Sequence, residues 1–355
     1  MDNSRRNFLK LAAAAAVTPG IAISQGDLQD ELFIYSGSSN NQSRIVPPPL
    51  MEGSKIAITA PASPSSMWEI RNSLRVFRNM GCEVVIGDSV KNQKNNHRYF
   101  SAPDEQRAEE FNTFLKDDSI DCILCARGGY GVMRIFPWLD WDDFRKHPKI
   151  IMGYSDITAL LLAVYRHSGL VTYHGVVASS DFNAFTVNYI KQSLFSHHKE
   201  AIAVSLNSSQ IITGGMAEGP LTGGNLSLVI SSLGTHFEIN TDNAILFLED
   251  VSEEAYKVDR MITHLIQAGK LDNCKGIIFG SFENMHRRRP FYPNRQFSVK
   301  EVIEQLTGGL GIPVVIEMPF GHVKNKIILP IGIKAKLDTD KKLFTFLENT
   351  VNISY

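Results

Sequence analysis

The chain has 355 residues, 43% hydrophobic and 21% charged, which excludes a disordered chain, a collagen-like fibre and a disulfide scaffold. Its 36 basic and 37 acidic residues nearly cancel, so no global field attracts nucleic acid. The four cysteines are too few and too scattered to staple a chain of this length. In chain order, Ser4-Arg5-Arg6-Asn7-Phe8-Leu9-Lys10 precedes a mildly apolar, alanine-rich stretch broken by Pro19-Gly20. Paired arginines before such a stretch match a twin-arginine export signal. Leu11 to Ile23 falls well short of the ~20 residues that span a bilayer. Residues 1–24 are therefore read as a signal peptide, delivering the protein to the periplasm with no other membrane association. Residues 25–50, rich in Ser, Asn and Pro, are read as a linker.

From Lys55 strand and helix alternate. Short apolar runs predict strands over Lys55–Ala60, Cys82–Ile86, Ile120–Ala126, Ile150–Tyr154 and Leu170–Tyr173. Helical spacing predicts Ser65–Met80, a helix opened by Pro103, Val132–Leu139 and Ile157–His167. Continuous apolar strands separated by helices imply an α/β fold with a parallel sheet covered on both faces. The polar stretch Ser179–Ser209 reads as a crossover to a second unit. That unit has strands Ala244–Leu248, Gly276–Phe279, Pro313–Glu317 and Ile327–Ile331, a helix striped by Val258, Met261, Ile262, Leu265 and Ile266, and a hairpin around Asp338–Lys341. The predicted domains are 51–180 and 216–355, joined by a linker over 181–215.

Ligands of open parallel sheets bind beyond the carboxyl ends of the strands, and two such ends carry unusual residues. Arg127-Gly128-Gly129-Tyr130-Gly131 would let backbone N–H groups approach a ligand, but a tight turn explains the glycines equally. Gly153-Tyr154-Ser155-Asp156 puts a serine at a strand-to-helix turn, the arrangement of a nucleophile elbow, although Ile157 breaks the strict G-x-S-x-G pattern; on these residues alone a helix cap by Ser155 or Asp156 is the favoured reading. A nucleophilic serine needs a base and the base an orienting carboxylate. His322 and His174 both follow strands and compete for the first role; Glu249 and Asp250 end a strand and serve for the second. No clustered Cys/His ligand set argues for a metallohydrolase. Cys122 and Cys125 form a C-x-x-C, but residues three apart in a strand point to opposite faces. The run His286-Arg287-Arg288-Arg289 reads as a solvated loop.

The motifs RGGYG (127–131), GYSDIT (153–158), LTGGNLSL (221–228), LFLEDVSEEAYKVDRM (246–261) and MPFGHVKNKIILPIG (318–332) together resemble the LD-carboxypeptidase family of serine peptidases. That family also contains the microcin C immunity peptidases. The likeness runs from about Lys55 to Asp338. It implies an N-terminal parallel-sheet domain like that of class I glutamine amidotransferases, a smaller C-terminal α/β domain, and an active site in the cleft between them. It implies a triad of Ser155, Glu249 and His322. The implied oxyanion hole comprises the N–H groups of Asp156 and Gly129, with Gly128 and Tyr130 beside it on the substrate side. The implied reaction cleaves the L,D bond before the terminal D-Ala of a murein tetrapeptide, without metal or organic cofactor. A murein peptide is then the partner, nucleic acid is not, and a homodimer is a candidate assembly. Many relatives are cytosolic, so the export signal is a departure. Two alternatives remain: an amidase acting on peptidyl-nucleotide antibiotics of the microcin C type, and a non-catalytic muropeptide-binding protein. The second need not keep all three triad residues.

Overall fold

The computed structural model describes residues 43–92, 98–195, 202–207, 210–282 and 297–353. The export signal, the first part of the linker and the run His286–Arg289 lie outside the described residues. The strands are β1 (Lys55–Thr59), β2 (Glu83–Ile86), β3 (Cys122–Cys125), β4 (Ile150–Gly153), β5 (Thr172–His174), β6 (Ala203–Ser205) and β7 (Ile211–Thr213). After them come β8 (Met216–Asn225), β9 (Ile245–Glu249), β10 (Gly276–Phe279), β11 (Val314–Val315), β12 (Leu329–Ile331), β13 (Lys334–Asp338) and β14 (Leu343–Phe346). They form a six-stranded sheet in the order β12-β5-β4-β3-β1-β2 and an eight-stranded sheet in the order β6-β14-β13-β8-β9-β10-β11-β7.

The first sheet is parallel from β2 to β5, as its unbroken apolar strands require. Each face covers a separate core, and the C-x-x-C marks the division: Cys125 packs in one cluster and Cys122 in the other. Both are buried free thiols, and burial pushes both thiol pKa values up, away from the thiolate form that a metal or redox partner needs. Local signals set the helix limits. Met67–Asn79 begins at a capping box, in which Ser66 Oγ accepts the Glu69 N–H and the Glu69 carboxylate accepts the Ser66 N–H. Thr158–Ser168 stops at Gly169 in the left-handed conformation. The run Val132–Trp138 is a 3₁₀ helix containing Pro137.

Three expectations need correction. The strand read in Ile327–Ile331 does not join the second sheet; β12 runs antiparallel to β5 and closes the edge of the first. The crossover over 181–215 is not unstructured: Ala184–Leu194 is a helix capped by Asn183, and β6 and β7 are edge strands of the second sheet. A helix with apolar residues on one side only, such as Ile190 and Leu194, was hidden among polar neighbours. The end of the supposed N-terminal linker also belongs to the fold, since Ile45 bridges to Leu170 and Leu50 is buried.

The second sheet is mixed, with β8 to β11 parallel and antiparallel strands at both sides. Both sheets lie in one compact unit, Asn40–Tyr355. They join where the helix Thr158–Ser168 meets the end of β8. There Gly224, at φ +143°, leaves room for the Thr158 side chain, and the Asn225 N–H donates to Thr158 Oγ1 at 3.0 Å. Thr158→Val keeps the shape and leaves that buried N–H unpaired. It is expected to cost about 1–3 kcal/mol, read as a lower urea midpoint with unchanged slope.

Candidate active site

Because β1, β3, β4 and β5 are parallel, their carboxyl ends share one edge of the first sheet. Ser155 stands at the end of β4. It has φ +64°, a left-handed conformation that a serine adopts only under constraint, and it begins a short turn leading into the helix Thr158–Ser168. Neither that turn nor the helix has a side-chain cap. The capping alternative for Ser155 and Asp156 therefore falls.

The Arg127–Gly131 loop lies directly over this turn. A Cβ on Gly128 would sit 2.7 Å from Ser155 Cβ and 3.2 Å from the Asp156 backbone nitrogen, so only glycine permits the approach. Ser63, beyond the end of β1, clamps the loop. Its N–H donates to Gly128 O at 3.2 Å, and its Oγ accepts the Tyr130 N–H at 3.1 Å. Gly129 and Gly131 both have positive φ, so the tight-turn reading of this loop also holds. Among the described residues none accepts a hydrogen bond from the Gly129 or Asp156 N–H. Tyr130 is more than half exposed at the rim, stacked on Phe100.

The second sheet and the loop after β11 bring a carboxylate and an imidazole together. Glu249 ends β9, next in register to Asn225 at the end of β8. It is fully buried, and its Oε2 lies 2.7 Å from His322 Nδ1 while its Oε1 accepts from Asn225 Nδ2 at 3.2 Å. Burial alone would raise the Glu249 pKa. The hydrogen bond and charge of His322, with His174 and Asn225, outweigh it and hold the carboxyl below its ordinary value. Gly321 makes the pair possible, because a Cβ there would meet the Glu249 side chain. His322 keeps 20% of its side chain exposed, and its ring packs edge-on against Tyr154, the residue before Ser155, at 4.9 Å. Ser155 Oγ makes no hydrogen bond to His322. Asp250, the other carboxylate considered, faces away into its own network with Ser227, Val251 and Asn225, and burial raises its pKa.

His174 does not compete as the base. It is sealed among Tyr154, Phe247 and Phe320, its Nε2 lies 3.9 Å from Glu249 Oε1, and neither ring nitrogen has a hydrogen-bond partner. Burial lowers its pKa to about 4, so it is neutral at pH 7. Several site residues carried no assignment in the sequence reading: Asn225, Ser63 and Arg107. Ser63 follows a strand end, as the two recognised loops do. Arg107, which donates to Gly131 O behind the loop, is one charge among several on its helix, and no pattern in the sequence distinguishes it.

Among the described residues no group of His, Cys, Asp and Glu could hold a metal ion, and no helix is long and apolar enough to cross a membrane. Comparison with known proteins matches residues 56–175 to the LD-carboxypeptidase N-terminal domain and residues 218–337 to the C-terminal domain of the same family. A probable murein peptide carboxypeptidase of Bacillus subtilis is 36% identical over 300 residues, covering 83% of this chain and 92% of that one. The crystal structure of a muramoyltetrapeptide carboxypeptidase from Oxalobacter formigenes has a TM-score of 0.72 at 28% identity, over 82% of this chain and 97% of that one. The microcin C7 self-immunity protein MccF of Escherichia coli, in complex with glutamyl sulfamoyl guanosine, has a TM-score of 0.76 at 24% identity, over 86% and 99%.

The buried histidine sets a pH dependence. An unfolded His174 takes up its proton near pH 6.5, whereas the folded one resists until about pH 4, so the unfolded state binds more protons in between. The stability is fully present above pH 6.5 and is lost as pH falls towards 4. The protein is expected to lose about 2 kcal/mol more than a His174→Gln variant between pH 7.5 and 5, measured by urea unfolding at each pH.

Proposed function

The chain belongs to the LD-carboxypeptidase family of peptidases, and from that membership and the site geometry we propose a serine carboxypeptidase that removes the terminal D-Ala from murein tetrapeptides. The observation that carries the reading is the 2.7 Å Glu249–His322 pair beside a serine held at positive φ. Glu249 orients the imidazole through Nδ1, leaving Nε2 to take the Ser155 proton. Ser155 then attacks the scissile carbonyl, and the N–H groups of Asp156 and Gly129 receive the developing oxyanion, each worth about 2.7–4 kcal/mol of transition-state stabilisation. The imidazolium protonates the departing D-Ala amine, and water releases the acyl group from Ser155. In such sites the serine–histidine contact commonly tightens only in the substrate complex. No step requires a metal or organic cofactor.

Purified protein incubated with defined murein tri-, tetra- and pentapeptides is expected to release one D-Ala from the tetrapeptide alone, read by mass spectrometry. Cleavage confined to a peptidyl-nucleotide would replace this substrate with the amidase alternative. Ser155→Ala and Glu249→Gln are expected to lower kcat by several orders of magnitude with tetrapeptide binding retained, and Ser155→Ala to leave the melting temperature nearly unchanged. A fully active Ser155→Ala protein would end the serine-peptidase reading.

We further propose export by the twin-arginine route, on the strength of Arg5-Arg6 and the apolar stretch behind them. Replacing both arginines with lysine is expected to leave the product in the cytoplasm on cell fractionation, with the parent chain in the periplasm.

A further inference from the structure

Asp156 sits immediately after the proposed nucleophile, and its side chain does not serve its own helix. It is buried, and it accepts the Val132 N–H at 2.8 Å. Gly131 occupies the N-cap position of the Val132–Trp138 turn and has no side chain with which to cap it. The cap therefore comes from the elbow, 24 residues further along the chain.

Arg107 holds the other pole of the same peptide group. Its Nη1 donates to Gly131 O at 3.0 Å and also to Pro61 O, its Nε donates to Ala102 O at 3.1 Å, and its Nη2 pairs with Asp104. Arg107 is fully buried, with its guanidinium 4.9 Å from the Phe100 ring. The Gly131–Val132 peptide thus has a cation at its carbonyl and an anion at its N–H, an arrangement aligned with its own dipole. Every guanidinium hydrogen bond goes to a carbonyl or to Asp104, so Arg107 acts on Asp156 across this peptide and not by direct contact.

We propose that the Asp156 carboxylate and Arg107 are positioning residues that lock the Arg127–Gly131 loop to the nucleophile turn, so that the Gly129 and Asp156 N–H groups are held as one preformed oxyanion site. The inference rests on the serine-peptidase reading above. Three attachments fix the loop. Ser63 takes the Tyr130 N–H, Asp156 takes that of Val132, and Gly128 is pressed against Ser155 with no room for a methyl group. Gly129 is bracketed by these anchors. Because Asp156 contributes both a backbone donor and the side-chain tether, any movement of the loop relative to the turn must break a buried charged hydrogen bond. Preorganised donors are effective because they need no rearrangement as charge develops. Loosening this tether should therefore weaken transition-state binding while leaving substrate binding alone.

The test compares Asp156→Asn and Arg107→Lys with the parent enzyme on the murein tetrapeptide. Affinities are measured for the tripeptide product and for a tripeptide boronate, which mimics the tetrahedral intermediate on Ser155. For Asp156→Asn, kcat is expected to fall roughly 10- to 100-fold and boronate affinity to fall in step with kcat/KM, with KM and tripeptide affinity within about 2-fold of the parent. Arg107→Lys, which keeps the charge but loses the fork, is expected to shift the same two quantities in the same direction, and it decides the matter if Asp156→Asn does not fold. Folded variants that lower the melting temperature but leave kcat and boronate affinity unchanged would overturn the inference, as would a rise in KM at constant kcat. A parent protein that neither cleaves the tetrapeptide nor binds the boronate would remove the peptidase reading itself. An active parent with indifferent variants removes the tether alone.

Discussion

Glu249 is a carboxylate with no access to water, and a buried charge persists only where hydrogen bonds and opposite charge replace the solvent it has lost. Much of the architecture follows from meeting that demand. β8 must end level with β9 so that Asn225 can donate to one oxygen, and the loop after β11 must come close enough for His322 to reach the other. The second requirement is why position 321 has no side chain. His174 lies behind as a neutral aromatic wall, excluding water from the carboxylate without competing for its proton. A charge held in this way can fix an imidazole in one orientation, because protonating the carboxylate would cost the whole arrangement.

The first sheet was legible because its central strands β1, β3 and β4 are buried on both faces and read as apolar runs, with Pro61 ending the first of them, Gly81 stopping the helix that follows and Pro103 opening a later one. The second sheet was only partly legible. β8 carries Gly219, Gly223 and Gly224 where a central strand normally has bulky residues, and the sequence reading assigns no strand there. Those glycines exist for close approaches by neighbouring backbone and by Thr158, which no periodicity reveals. The edge strand β12 was found as a strand but given to the wrong sheet, since pairing is decided by tertiary contact and not by the segment itself.

For the site, strand ends pointed to the residues that must be there for chemistry, and family motifs reduced the alternatives to Ser155, Glu249 and His322. What composition and spacing could not reveal was support. Ser63 and Arg107 act through backbone carbonyls and N–H groups far away in sequence, and Asp156 acts through a loop 24 residues before it. Such roles depend on where a side chain ends up, and neither residue type nor local pattern encodes that. The strain at Ser155 is similar: its sequence neighbours suggest a turn, but only the backbone shows the sign of φ.

The placement of β12 bears on the order in which the protein can be made. The sheet that carries Ser155 is bordered by β5, and β5 is covered by a strand that begins seven residues after His322. During synthesis the Ser155 half emerges with an open sheet edge, and that edge stays uncovered until β12 has been made. An uncovered edge invites pairing with other chains. The same late segment brings in both His322 and the missing border, so the Glu249–His322 pair and the protection of the sheet are completed together. A product truncated before it would lack the pair and keep an adhesive edge.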